Sequence, residues 1–92
     1  MTEREELELA AKAARCSFSD GTLWYGRFVY SYKWNPKDND ADAFRLGVNI
    51  GAFNDWPEFH TYRTAYELEG KDALTATRLA IFKLAVEIGG KV

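Results

Sequence analysis

Apolar positions recur with two different periods along this chain, and the switches between them predict the order of its elements. Near the start, Leu7, Ala10, Ala11 and Ala14 follow the i, i+3, i+4, i+7 spacing of a helix with one buried face. This spacing predicts a helix over 3–14. Thr2 with Glu5 three residues on has the spacing of a capping box. Glu3, Glu5 and Glu6 suit the positive end of the helix dipole. The small alanines permit close approach to a sheet.

The period then changes to two. Residues 16–19 form a short strand, and Asp20-Gly21 is a hairpin signal because both residues tolerate positive φ. In the run 23–34 the even positions are Trp24, Gly26, Phe28, Tyr30, Tyr32 and Trp34. Read as one strand, this places five large aromatics on one face, because alternate side chains share a side. That face is assigned to the core, opposite the alanine stripe, with Arg27 and Lys33 on the other side. Asn35-Pro36 ends the strand, since proline cannot donate to the ladder.

Helical spacing returns at 41–49. Ala43, Leu46, Gly47 and Ile50 form an inward stripe that Phe44 and Val48 widen, with Asn39 or Asp40 as cap. A connection over 53–57 leads to 58–68, rich in Thr, Tyr and Phe and free of Gly and Pro, which predicts an edge or partly exposed strand. The last helix is expected over 73–88, with Asp72 as N-cap and Leu74, Arg78, Ile81, Leu84, Ala85 and Ile88 on one face. Leu79 and Phe82 broaden that face. The expected order is α-β-β-α-β-α. The fold class is α+β: a small antiparallel sheet of about three strands packed with three helices as an αβα sandwich, in one domain over 1–92.

Composition narrows the function classes. A 92-residue chain must make its core well, and the 15% aromatic content supplies the area. Twelve basic against 14 acidic residues give a formal net charge of −2. Such a balance exerts no broad pull on nucleic acid or an anionic membrane. The single cysteine, Cys16, fits a reducing compartment. No apolar run reaches the roughly 18 residues of a membrane span. The acidic start is unlike a signal or transit peptide.

Catalytic and metal-binding patterns are weak. Asp38-Asn39-Asp40-Ala41-Asp42 resembles the opening of a calcium loop, but Ala43 stands where the turn glycine belongs and Asn49 where the bidentate glutamate belongs. Helix capping explains these carboxylates better. His60 has no histidine or nucleophile motif beside it, and Cys16 no Cys-x-x-C partner. No catalytic residue, metal or cofactor is assigned. What remains is aromatic surface with nearby cations.

Three segments together carry a resemblance. They are Leu7-Glu8-Leu9-Ala10-Ala11-Lys12-Ala13-Ala14, the central Trp34-Asn35-Pro36-Lys37-Asp38-Asn39-Asp40-Ala41-Asp42-Ala43-Phe44-Arg45-Leu46-Gly47-Val48, and the closing stretch 76–89. This pattern resembles a family of small bacteriophage proteins, the phage ABA sandwich family. The specific piece is Trp-Asn-Pro, an acidic spacer, and Asp-Ala-x-Arg-Leu; residues 53–68 depart from the pattern. The resemblance implies a phage origin and a bacterial host cytoplasm, and supplies no activity. Physically, the central piece reads first as a folding device, with Arg45 reaching back to a helix-start carboxylate.

The expected function is therefore binding without catalysis, to a host or phage protein such as a bacterial defence complex. The candidate surface is Arg27, Lys33, Trp34, Phe53, Trp56, Tyr62, Arg63 and Tyr66. One alternative is sequestration of a nucleotide-like ligand by Trp24, Arg27, Tyr30, Trp34 and Arg63; another is nucleic-acid binding. A homodimer through an edge strand at 58–68 is also expected.

Overall fold

The structure, a computed structural model, describes residues 1–54 and 56–92. Its elements run α1 (Glu3–Ala13), β1 (Ser17–Ser19), β2 (Thr22–Tyr25), β3 (Phe28–Ser31), α2 (Asp40–Ile50), α3 (Pro57–Leu68) and α4 (Ala73–Gly89). The class is α+β with a three-stranded antiparallel sheet in the order β1-β2-β3. Asp55, within the expected connection 53–57, lies outside the described residues.

Two element assignments are corrected. Residues 58–68 form helix α3 and not a strand. Pro57 sits in the first turn, where its missing N–H costs nothing. Phe59, Tyr62, Arg63 and Tyr66 are the more buried positions, at i, i+3, i+4, i+7 spacing, and this face packs on α4. Threonine and tyrosine favour strands only where a sheet is available to receive them. Here α4 offers a helix-shaped surface instead, so the edge-strand dimer expected at 58–68 has no strand there to form it.

The aromatic run is likewise not one strand. Gly26 and Arg27 form a two-residue turn that reverses the chain, and Gly26 adopts φ +63°, the left-handed value that tight hairpins need at that position. The register is Tyr25↔Phe28, Trp24↔Val29 and Leu23↔Ser31, with a bulge between Leu23 and Trp24. The preceding hairpin has Asp20 at φ +51° and Gly21 at +78°, as its sequence implies. Folding the run in two scatters the even-position aromatics. Leu23, an odd position, is buried at 2% exposure, whereas Phe28 is 77% and Tyr32 74% exposed.

Helix α4 is the centre of the molecule. Ala76, Ala80, Ile81, Phe82, Leu84, Ala85 and Gly89 are all buried, and α1, α2 and α3 each pack against it. Burying Ile81 and Leu84 contributes about 1.5–3 kcal/mol each. Helix α1 starts with the full capping box between Thr2 and Glu5. It presents buried Ala10 and Ala11, and its backbone at Leu9 comes so close to Gly89 that a Cβ there would lie 1.9 Å from the Leu9 carbonyl oxygen. The sheet joins this bundle through β1 against α1, with Phe18 and Leu23 facing the core. Phe44, Val48 and Leu74, expected inward, are exposed instead.

The central sequence piece is a knot that ties strand to helix. Trp34 is buried, its ring 6.0 Å from that of Phe18, and its N–H donates to the Gly21 carbonyl at 2.8 Å. The buried Asp42 carboxylate accepts from Asn35 N–H at 2.9 Å and Ser31 Oγ at 3.2 Å. Arg45 does reach back to it, at 3.7 Å. Asn39 caps α2 by accepting the Asp42 N–H at 2.9 Å. From the other side, Arg78 of α4 donates to the Lys37 carbonyl and pairs with Asp40. The helix-start carboxylates are thus occupied by the fold.

Asp42→Ala strips charged hydrogen bonds from Asn35 and Ser31 and should cost about 1.5–3 kcal/mol in urea denaturation. Gly89→Ala should lower stability by about 1–3 kcal/mol through overpacking. Alanine is the better helix former by about 1 kcal/mol, so any net loss in the denaturation midpoint reads the α1–α4 approach.

Candidate functional site

Once helices and β1 have taken their share of apolar surface, the β2–β3 hairpin is left outside. Tyr25, 61% exposed, stands directly across the ladder from Phe28, so two aromatics cap the hairpin tip as a cross-strand pair. Tyr30 lies in the bulged part of β3 and is exposed, and Tyr32 follows just after the strand. Tyr25 and Tyr30 also line a cleft of about 300 Å³ with Arg15, Cys16 and Asn49. Arg27 occupies the turn and Lys33 the opposite end, where its backbone takes φ +50°. Both cations are exposed. The hairpin therefore presents four exposed aromatics between two positive charges.

A second feature is polar. Between α1, α3 and α4 lies a cleft of about 370 Å³ lined by Glu6, Lys37, Tyr66, Phe82, Lys83 and Glu87 among others. The Tyr62 hydroxyl is within 2.6 and 2.5 Å of the two Glu87 carboxylate oxygens, and Lys83 Nζ sits 4.5 Å from the Tyr62 ring centroid. The hydrogen bond to Glu87, with burial and the Glu87 charge adding to it, pushes the Tyr62 phenol up to about 12. These contacts join α3 to α4. Lys37 lies 5.6 Å from the Phe82 ring centroid on the same side.

The sequence-predicted surface is dispersed by the fold. Arg27 and Lys33 lie at opposite ends of the same hairpin. Trp34, expected on its rim, is 5% exposed and belongs to the core, because the reversed chain folds it onto Phe18. Phe53 is exposed between α2 and α3, 5.9 Å from Phe44 and edge-on to Phe59 at 5.7 Å. Trp56 is half-buried and lines a small cleft with Leu84, Ile88 and Val92. Tyr62 and Tyr66 lie along α3 beside α4, and Arg63 pairs with Glu67 at 3.4 Å one turn on. Of the residues expected to line a nucleotide pocket, Trp34 is in the core, Arg63 on α3, Arg27 at the hairpin tip, and Trp24 and Tyr30 on the hairpin strands.

Tyr25 is absent from the expected surface, and Phe28 and Tyr32 are expected in the core. The signal that finds them is Gly26: a glycine between two aromatic segments of alternating character reads as a turn, and a turn there halves the strand. As for catalytic groups, His60 is exposed on α3 beside the Phe59 ring. Cys16 is half-buried with Sγ 3.5 Å from the Ala14 carbonyl, and burial pushes its thiol up, away from the reactive thiolate.

No protein-family profile, curated protein or solved structure matches this chain. Among the described residues, no helix is long and apolar enough to cross a membrane.

Tyr62→Phe should cost about 1 kcal/mol through the lost hydrogen bond to Glu87. Its pH dependence is distinctive. A phenol raised above its ordinary 10 contributes stability that is fully present below pH 10 and lost as pH rises through about 12. The stability difference between the native chain and the Tyr62→Phe variant, measured by urea denaturation at stepped pH, should therefore be flat to pH 10 and shrink above it.

Proposed function

We propose that this chain acts by binding another protein, without catalysis, and that the β2–β3 hairpin is the contact surface. The observation that carries this reading is the exposure of Tyr25, Phe28, Tyr30 and Tyr32 on one small hairpin. Exposed aromatics concentrated at one place are costly to keep in water, and aromatics with arginine are the residues that dominate binding energy at interfaces. Arg27 at the tip adds a planar cation suited to carboxylates. The folding core does not use these side chains, so their presence points outward. The chain's resemblance to small phage sandwich proteins supports a partner in the bacterial host cytoplasm, with a defence complex as the leading class. Cys16 and His60 stand in surroundings that favour neither a nucleophile nor an acid–base pair, which supports binding over catalysis.

The test is capture of host proteins from bacterial lysate on the native chain and on a Phe28→Thr/Tyr32→Ser variant. The two side chains are exposed and only the Tyr25–Phe28 cross-strand pair is lost, so folding stability should fall by no more than about 1 kcal/mol, while a specifically captured protein should be lost at least tenfold. A captured protein that binds both chains equally would remove the hairpin as the surface.

A further inference from the structure

We infer that the hairpin takes its partner as an added strand: β3 is an open sheet edge that pairs with an extended, acid-flanked segment of another protein. This rests on the hairpin reading above and specifies what the surface accepts. In the order β1-β2-β3 there are two edges. The β1 edge belongs to the element that packs on α1. Strand β3 is paired only with β2, and none of its residues makes a backbone hydrogen bond outside that ladder among the described residues. An edge strand turns alternate N–H and C=O groups outward, and the group that satisfies such a row is another extended backbone.

Charge decides which backbone. Arg27, in the turn before β3, and Lys33, just past its end, flank the edge with exposed positive charge. A second copy of this chain is the obvious alternative, because two β3 edges paired antiparallel would bring the aromatics of both hairpins together. That pairing also brings the Arg27 end of each copy beside the Lys33 end of the other, and like charges brought together across a strand pair are destabilising. A foreign segment with a carboxylate at each end turns both repulsions into attractions. Its centre runs past Phe28 and Tyr30, so apolar or β-branched residues suit it. The bulge opposite Leu23 and Trp24 and the shortness of β3 limit indiscriminate edge pairing, which leaves the flanking charges to select the partner.

The experiment selects randomised eleven-residue peptides displayed on a surface against the full native chain, with counter-selection on the Arg27→Glu/Lys33→Asp variant. The expected winners carry an acidic residue on each side of a short apolar or β-branched centre. They should bind the charge-reversed variant about three- to tenfold more weakly, the scale of two exposed ion pairs. N-methylation of one central amide should weaken them at least tenfold, and binding should slow hydrogen exchange at β3 amides. Three results overturn the inference: enrichment of no acid-flanked peptide, affinity unchanged by N-methylation at every central amide, or a hairpin-dependent dimer at micromolar concentration in sedimentation equilibrium. Binding that resists N-methylation rejects strand addition alone. Loss of the hairpin as a surface shows separately, in the capture experiment with Phe28 and Tyr32 replaced.

Discussion

The constraint on which the structure depends is the burial of α4. Beyond its first turn this helix exposes only Lys83 fully; its other positions are buried or half-buried. A helix that is apolar nearly all round must be covered on every side. Helices α1, α2 and α3 each cover part of it. Coverage from three directions requires at least one close approach, and Gly89 against the Leu9 backbone supplies it, with Ala10 and Ala11 on the same face of α1. Larger residues at these places would hold the helices apart and reopen α4 to water.

The cost of this arrangement falls on the sheet. Helices that serve α4 are not free to cover both sides of three short strands. The sheet is therefore attached at one end, through β1 and α1, and through the polar knot in which Asp42 bonds to Ser31 and Asn35. That knot fixes where β3 ends and α2 begins. It also fixes the hairpin's orientation: Trp34 is pulled into the core, and the aromatics preceding it are left facing water. The exposed hairpin is thus a consequence of how the core is allotted.

Different physical terms govern the two parts. The helical bundle is held by apolar contact, which is short-range and is not screened by salt as charge interactions are. The hairpin carries Arg27 and Lys33, exposed charges whose influence decays over about 8–10 Å at ordinary ionic strength. Such charges steer and discriminate more than they tighten.

Local signals in the sequence determined much of this. The capping box at Thr2, the Asp20-Gly21 hairpin, the Asn39 cap and the start of α4 at Asp72 each involve residues within four positions of one another, so the chain carries them without help. The class, an α+β fold with a three-stranded antiparallel sheet, follows from them. Arg45 reaching back to Asp42 is legible for the same reason. The candidate site is legible only in part: Arg27 and Lys33 stand out beside aromatics, but Trp34 falls on the other side of the boundary between core and rim. What the tertiary structure decided is which partner each ambiguous segment meets. Residues 58–68 have side chains that suit a strand and spacing that suits a helix, and α4 settled the matter by offering a surface on which only the helical spacing buries Phe59, Tyr62 and Tyr66. The run 23–34 is aromatic or aliphatic at most positions, so alternation alone cannot say which aromatics are inside. Burial belongs to a residue's surroundings and not to its type. It was set by contacts such as Trp34 with Phe18, made between residues far apart in the chain, and no periodicity along the sequence encodes them.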